Sequence, residues 1–285
     1  MRHDFHHDGD WIGSDIGVFD TDALAACYPD RAARFGHLLA HRQSLSWPAI
    51  RDALASGARS LMEVREDTPE GRFRPLADLP DDFGSLLDDL ATAKRWIMLR
   101  DLARWPDFAD VVAEIVTAIG PVAESPTGAL LHPVAFLFVS SPGLLTPLHF
   151  DPEYNVLLQI AGSKHFTIIS PEAGLPSPQD NEYYHASGDN LLEWSEGAAR
   201  FAVPHELRSG DALHVPFKAA HTVTVGEEPS VSLSVTWRSR SSLLQDDAWS
   251  FNAAMRRVGV AMPPPGQYPW LRGVAMRALR RLRLA

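Results

Sequence analysis

Residues 148–164 read LHFDPEYNVLLQIAGSK, and this stretch decides how the whole chain is interpreted. It places His149 and Asp151 two positions apart in strand-like sequence, with Lys164 further along. Side chains alternate between the two faces of a strand, so His149 and Asp151 are expected to point the same way. With a distant histidine they would form the two-histidine, one-carboxylate triad that holds non-haem Fe(II) and leaves coordination positions open.

The composition predicts a globular protein with an uneven charge distribution. The chain has 285 residues, of which 45% are hydrophobic, so it can bury a sizeable core. Its single cysteine, Cys27, excludes an internal disulfide and fits a reducing compartment. The sequence shows neither a signal-peptide pattern nor an apolar run long enough to span a membrane. We therefore expect a soluble, cytoplasmic protein.

The net charge of −10 argues against a general nucleic-acid binder. Residues 270–285 contain five arginines and no acid, which leaves a charge of −15 on the rest of the chain. The acidic body is expected to prefer cationic or neutral partners.

The spacing of apolar residues changes twice along the chain, which predicts three regions. Residues 1–125 are expected to be a mainly helical N-terminal region, residues 126–240 a β-rich core and residues 241–285 C-terminal helices. Within the first region, apolar spacing predicts helices near 22–27, 47–54, 83–90 and 108–116, with short strands at 61–64 and 96–99. In the core, short apolar or alternating runs predict strands at 134–139, 156–160, 166–169, 212–215, 222–225 and 231–237, as in an antiparallel sandwich or barrel.

A His-x-Asp pair alone is weak evidence for a metal site. His6-His7-Asp8 supplies a second such pair, in a polar stretch that is read as solvated surface. The third ligand of the triad is expected within 210–223, where His221 opens a strand after Pro216. The competing His214 lies in an apolar run that is more typical of a core histidine, and His205 is weaker still. His221 is therefore the predicted partner of His149 and Asp151.

Lys164 adds a second chemical feature, because it starts the apolar run 164–169. If its ammonium group faces inward, it requires an anion. The alternative is a lysine at a strand end whose charge reaches solvent.

Jointly, these features resemble a known family over about residues 136–237. The motifs are Thr146-Pro147-Leu148-His149-Phe150-Asp151, then Asn155, Gln159, Gly162 and Lys164, then Gly210-Asp211, Pro216, His221 and Trp237. This set resembles the JmjC/cupin-like Fe(II)- and 2-oxoglutarate-dependent oxygenases, in particular the protein-hydroxylase branch that includes factor inhibiting HIF.

The resemblance implies a fold, a cofactor pair and a set of site residues. The implied fold is mainly β with helical additions, a double-stranded β-helix (cupin or jelly-roll) core. Iron would be held by His149, Asp151 and His221, and the resemblance places Lys164 and Thr146 on the distal carboxylate of 2-oxoglutarate, with Asn155 near the end that chelates the metal. One departure is Ala219-Ala220, where family members often carry bulky aromatics, and it is expected to reshape the substrate pocket.

The implied activity is a dioxygenase that uses dioxygen to hydroxylate a side chain of a protein or peptide. One alternative is a hydroxylase of a free amino acid or small metabolite, and another is a non-oxidative metal-binding cupin or an inactive binding module. The loop 171–196, with Trp194, is predicted to border the site mouth and to help select the substrate. The basic C-terminal segment 268–282 has helical spacing and is expected to pack on the acidic body or on a second subunit, with a membrane-surface helix as the alternative. The resemblance favours a homodimer, because family members use C-terminal helices to dimerise.

Overall fold

The computed structural model describes residues 17–67, 73–266 and 269–282. Within them the chain forms two antiparallel sheets flanked by helices. The strands are β1 (Ala33–Gly36), β2 (Met62–Asp67), β3 (Phe73–Pro75), β4 (Arg95–Leu99), β5 (Leu131–Ser140), β6 (Leu145–His149), β7 (Tyr154–Ala161), β8 (Ser163–Ile169), β9 (Ala202–Arg208), β10 (Asp211–Val215), β11 (His221–Val225) and β12 (Ser230–Arg238). The α-helices are α1 (Thr21–Cys27), α2 (Trp47–Ser56), α3 (Ala109–Thr127), α4 (Pro178–Ser187), α5 (Glu196–Ala199), α6 (Arg240–Arg257) and α7 (Trp270–Arg281).

The strands β5 to β12 wind between the two sheets. The larger sheet has the order β1-β10-β7-β12-β5-β4-β2-β3, and the smaller has the order β6-β11-β8-β9. Strands that follow one another along the chain therefore mostly lie in opposite sheets, which is the winding of a double-stranded β-helix. This confirms the predicted fold class, and each predicted core strand lies within an observed one.

The larger sheet has two different faces, as β12 illustrates. Its sequence SVSLSVTWR alternates small polar and apolar residues. The apolar set packs into the main core against the N-terminal helices, while the hydroxyl-bearing set faces the smaller sheet. A second, smaller core lies between the sheets and includes Leu157, Phe166, Leu207, Leu213 and Val223.

The N-terminal region supplies strands as well as helices. Three of its four predicted helices are α-helices, and the fourth is a short 3₁₀ helix at Phe83–Leu87. The strands expected at 61–64 and 96–99 are observed as β2 and β4. β1 and β3 were not expected, because runs of four and three residues are too short to show an alternating pattern. All four extend the larger sheet, so this region is continuous with the core.

Local signals explain where the helices begin. Asp20 caps α1 by accepting a hydrogen bond from the Ala23 N–H at 2.9 Å, and Ser46 caps α2 ahead of Pro48. Ser239 begins α6 with a capping box.

α7 packs on α6, where Arg277 and Arg280 each lie 2.5 Å from a carboxylate oxygen of Asp247. None of the helices described is both long and apolar enough to cross a bilayer.

Gly162 turns the chain from the larger sheet into the smaller one. It alone separates β7 from β8 and has a φ of +66°. A Cβ atom at this position would lie 2.4 Å from the Pro229 carbonyl oxygen. Both the backbone conformation and the close contact therefore require glycine.

Candidate metal and co-substrate site

A cavity of about 460 Å³ lies between the two sheets. Strands from both sheets line it, because their inward-facing side chains alternate with those of the cores. Its walls carry the predicted site residues together with an aromatic strip, Trp96, Phe136 and Phe138. The structure thus brings all six predicted residues to one cavity: Thr146, His149, Asp151, Asn155, Lys164 and His221.

The predicted metal ligands meet where β6 ends and β11 begins. His149 is the last residue of β6, and it pairs in register with His221, the first residue of β11. The Oδ2 atom of Asp151 lies 3.9 Å from Nε2 of His149 and 3.8 Å from Nε2 of His221. Two atoms that each lie about 2.1 Å from one ion are at most about 4.2 Å apart, so these separations fit a shared ion.

Backbone carbonyls orient both histidine rings. Nδ1 of His149 lies 2.8 Å from the Pro147 oxygen, and Nδ1 of His221 lies 2.9 Å from the Ala219 oxygen. Because a carbonyl oxygen only accepts, each Nδ1 carries a proton, and in the neutral ring each Nε2 directs a lone pair into the space that it shares with Oδ2 of Asp151. Burial, reinforced by the neighbouring His149, lowers the pKa of His221 to about 4. Both features favour the neutral imidazole that a metal ion requires.

Lys164 lies in the same cavity and is buried. Its Nζ donates to Ser232 Oγ at 2.5 Å and lies 5.6 Å from the centroid of the Phe138 ring. None of the acidic groups in the described residues offsets its charge, and burial lowers its pKa to about 7. The inward orientation is therefore observed, and the site offers a cation for an anion to pair with.

Thr146 and Asn155 complete the predicted set. Thr146 lies on β6 three positions before His149, and its main-chain oxygen accepts from Thr222 Oγ1 at 2.7 Å. Asn155 is buried on β7, where its Oδ1 accepts from Ser234 Oγ at 2.8 Å. A hydroxyl, an amide and an ammonium group thus surround the space beside the triad, a donor set that suits a carboxylate ligand.

The competing histidines lie elsewhere. His214 is buried on β10, where its Nδ1 bonds to the Arg31 oxygen and its ring packs edge-on against Tyr28. It is the core histidine that its apolar surroundings suggest. His205 lies on β9 and is not part of the cluster. His6-His7-Asp8 lies outside the described residues.

The Ala219-Ala220 departure lies behind the triad, and its effect on the substrate pocket stays a prediction. Ala220 is fully buried in a small cluster with Leu148, Ile169 and Ala198, and neither alanine lines the cavity. Small side chains at these positions therefore fit the packing behind the triad, and the pocket wall is formed by other residues.

A charged network extends the cavity wall toward the C-terminal helices. Arg238 and Glu153 line the cavity and pair at 2.8 Å, and Arg238 also bonds to Asp246 of α6. Asp246 lies 3.2 Å from Nζ of Lys218, which also donates to Asn181 of α4 at 2.9 Å. Sequence reasoning missed this network, because its members are far apart along the chain and follow no common period.

The segment 171–196 borders the site, as predicted, but it contains α4 and is not the long loop that was expected. The side-chain amide of Asn190 donates to the Phe150 oxygen at 2.8 Å and lies 3.4 Å from Oδ1 of Asp151. Trp194 is exposed. Its part in substrate selection remains a prediction.

Comparisons with known proteins agree with this geometry. Residues 131–244 match the family described as the JmjC domain. The chain is 32% identical over 108 residues to Jumonji C domain-containing protein 5 of Drosophila melanogaster, covering 33% of this chain and 25% of that protein. It is 28% identical over 118 residues to the mouse tRNA wybutosine-synthesizing protein 5, covering 38% of this chain and 35% of that protein. The chain thus spans about a third or less of the curated relatives' lengths.

Solved structures share the fold. A structure of YcfD, described as a ribosomal oxygenase from Escherichia coli in complex with cobalt and 2-oxoglutarate, aligns with a TM-score of 0.53 at 12% identity, covering 94% of this chain and 68% of that one. An X-ray structure of E. coli ycfD aligns with a TM-score of 0.52 at 15% identity, covering 94% and 69%. At these identities the alignments establish the fold. Together with the match over 131–244, they confirm the resemblance to JmjC/cupin-like oxygenases, and the His-Asp-His triad supports the predicted pair of Fe(II) and 2-oxoglutarate.

Proposed function

From the premise that residues 131–244 are a JmjC domain, we propose that this protein is an Fe(II)- and 2-oxoglutarate-dependent dioxygenase that hydroxylates a side chain of a protein or peptide. The observation that carries the proposal is Lys164. It is a buried ammonium group, without an acidic partner among the described residues, in the same cavity as a metal-type triad. A cupin without an anionic co-substrate has no use for such a charge, because burying it unpaired is costly.

In this proposal, some of the cavity residues bind the metal ion and others bind the co-substrate. His149, Asp151 and His221 would hold Fe(II), which with 2-oxoglutarate supplies the activation of dioxygen that ends in succinate, carbon dioxide and a hydroxylated product. Lys164 and Thr146 would hold the distal carboxylate, and Asn155 would lie near the end bound to the metal. Apolar and aromatic side chains line the rest of the cavity.

A protein or peptide substrate is favoured by the shape of the site. Asp151 keeps a third of its side chain exposed, so the metal position opens to the surface. The larger sheet continues from β5 through β4, and Trp96 and Met98 of β4 lengthen the cavity wall. The ribosomal-oxygenase description of YcfD is consistent with this class of substrate.

The alternatives make different predictions. A hydroxylase of a free amino acid or small metabolite would consume 2-oxoglutarate in response to such a compound and not to peptides. A non-oxidative cupin or inactive module would not consume it at all. The match to the tRNA wybutosine-synthesizing protein covers only 35% of that protein. The net negative charge of this chain also gives no support to a nucleic-acid substrate.

The test is succinate formation from 2-oxoglutarate in the presence of Fe(II) and ascorbate, first without and then with pooled peptides. Turnover is expected even without substrate, and the variant His149→Ala should lose it. If neither the protein nor the protein with peptides forms succinate above the level of His149→Ala, the oxygenase proposal is wrong.

We also propose that the protein is a homodimer formed through α7. This helix contacts α6 through Gly273 and Met276, and its opposite face exposes Leu271, Val274 and Leu282. An exposed apolar stripe on a helix suits a second copy of the same helix. Arg277 and Arg280 point to Asp247 rather than flanking the stripe, so they are not placed for anionic lipid.

Deletion of residues 270–285 should convert the dimer to a monomer, as measured by light scattering. Leu271→Glu with Val274→Glu should do the same without shortening the chain. A full-length protein that is monomeric at high concentration would contradict the proposal, as would a double variant that remains dimeric.

A further inference from the structure

The segment 189–192 is a second neighbour of β6, the strand that ends in the proposed metal ligand His149. β6 lies at the edge of the smaller sheet, with β11 on its other side. The Phe150 N–H donates to the Asn190 oxygen at 3.2 Å, and the Leu192 N–H donates to the Leu148 oxygen at 2.8 Å. The predicted iron ligands His149 and Asp151 are therefore held between β11 and this segment.

The side chain of Asn190 distinguishes the two oxygens of Asp151. Its Nδ2 group donates to the Phe150 carbonyl at 2.8 Å and lies 3.4 Å from Oδ1 of Asp151. Both neighbours are acceptors, so the amide nitrogen is the atom that faces them. The other oxygen, Oδ2, is the atom that faces the Nε2 atoms of both histidines.

The main chain at Asp151 is fixed independently. The Lys218 N–H donates to the Asp151 carbonyl oxygen at 3.0 Å, and Lys218 has a φ of +59°, a conformation that persists only where surrounding contacts impose it. With the main chain held, the remaining freedom at Asp151 is rotation of the carboxylate. The Asn190 amide opposes that rotation.

We infer that Asn190 is a positioning residue that keeps Asp151 coordinating through Oδ2 alone. A carboxylate can bind a metal ion through one oxygen or through both. If Asp151 bound through both, it would occupy a position that the co-substrate needs. This inference rests on the proposed metal site and deepens it, because it assigns the loop 171–196 a part in setting the number of open coordination positions.

The experiment uses Co(II) as the probe and does not depend on turnover. Asn190→Ala removes the amide, and Asn190→Leu removes it while keeping a branched side chain. The matched control is Asp189→Ala, since the Asp189 carboxylate accepts a hydrogen bond from the Leu191 N–H of the same segment at 3.1 Å. His149→Ala reports whether the ion binds at the triad. Co(II) affinity and visible absorption, whose intensity reports coordination number, are measured at a temperature where every variant is folded.

Both Asn190 variants are expected to bind Co(II) about 10- to 100-fold more weakly, the usual effect of losing a group that orients a ligand, and to change its absorption spectrum. Asp189→Ala should alter neither. Unchanged affinity and spectrum in the Asn190 variants would overturn the inference, as would an equal loss in Asp189→Ala. If His149→Ala binds Co(II) as the wild type does, the metal site itself is wrong, and the proposed function fails with it.

Discussion

At the scale of single residues, Lys164 shows how burial changes the protonation of a side chain. Its Nζ donates a hydrogen bond to Ser232 Oγ and lies near an aromatic ring, and burial lowers its pKa to about 7. An anionic ligand would restore the charged form, so binding of the ligand and of a proton are linked.

The affinity for 2-oxoglutarate should therefore depend on pH. Below pH 7 Lys164 is protonated before the ligand arrives, whereas above pH 7 a proton must be taken up. The dissociation constant is expected to rise as the pH increases from 7 to 9, by up to about tenfold per unit. Calorimetric titrations of the Mn(II)-loaded protein at several pH values would measure this.

Lys164→Met is the control for that experiment. It should bind 2-oxoglutarate roughly 10- to 100-fold more weakly, as expected for the loss of a charged hydrogen bond, and its dissociation constant should not change over this pH range. A wild-type affinity that stays constant from pH 7 to pH 9 would contradict the link between binding and protonation of Lys164.

Individual site residues could be predicted from sequence where a regular spacing between residues identified them. His149, Asp151 and His221 lie together, although β6 ends at His149 and Asp151 lies two residues beyond it rather than on a shared strand face. Asn190, Ser232 and the Arg238–Glu153 pair were missed. Asn190 contacts Asp151 from a loop without periodicity, and a serine in an alternating strand looks the same whether it faces a ligand or solvent.

At the scale of elements, the junction between β7 and β8 depends on one residue. Gly162→Ala is expected to destabilise the protein for two reasons: the positive φ costs about 1–2 kcal/mol, and the new Cβ would collide with the Pro229 carbonyl. Chemical denaturation of the purified variant would measure the loss.

Gly174→Ala separates these two contributions. Gly174 has a φ of +71°, but a Cβ there meets no atom within 4 Å. It should lose only the conformational cost, so Gly162→Ala should be the less stable of the two. Equal losses would show that the contact with Pro229 relaxes freely.

Prediction at this scale followed the apolar pattern of an element rather than its length. β6, β9 and the ten-residue α4 were missed, since α4 is polar and β9 is mostly exposed. Six of the eight core strands and the C-terminal helices were placed. β1 and β3 were not, because their place in the larger sheet is decided by pairing with distant strands.

At the scale of the whole molecule, the triad joins segments that are far apart in sequence. His149 and Asp151 precede β7, whereas His221 follows β10, so one ion would connect segments that are neighbours in the smaller sheet but distant along the chain. An ion that binds only the folded chain stabilises it by mass action.

Co(II) should therefore raise the melting temperature. At about 100 times its dissociation constant the ion contributes about 2.7 kcal/mol, which corresponds to roughly 5–10 °C for a domain of this size. Scanning fluorimetry with Co(II) and with EDTA would measure the shift, and His221→Ala should show none. The same melting temperature for the wild type in both conditions would argue against an ion at the triad.

The two faces of the larger sheet have a consequence for how this protein can change over evolutionary time. On β12, substitutions at Ser232, Ser234 or Thr236 alter the cavity, whereas those at Leu233 or Trp237 alter the core. Neighbouring positions on this strand are therefore under different selection. Substitutions on the cavity face can change which substrates bind, while the residues on the core face keep the fold stable. The alternation of one strand thus lets specificity diverge among descendants without loss of the scaffold.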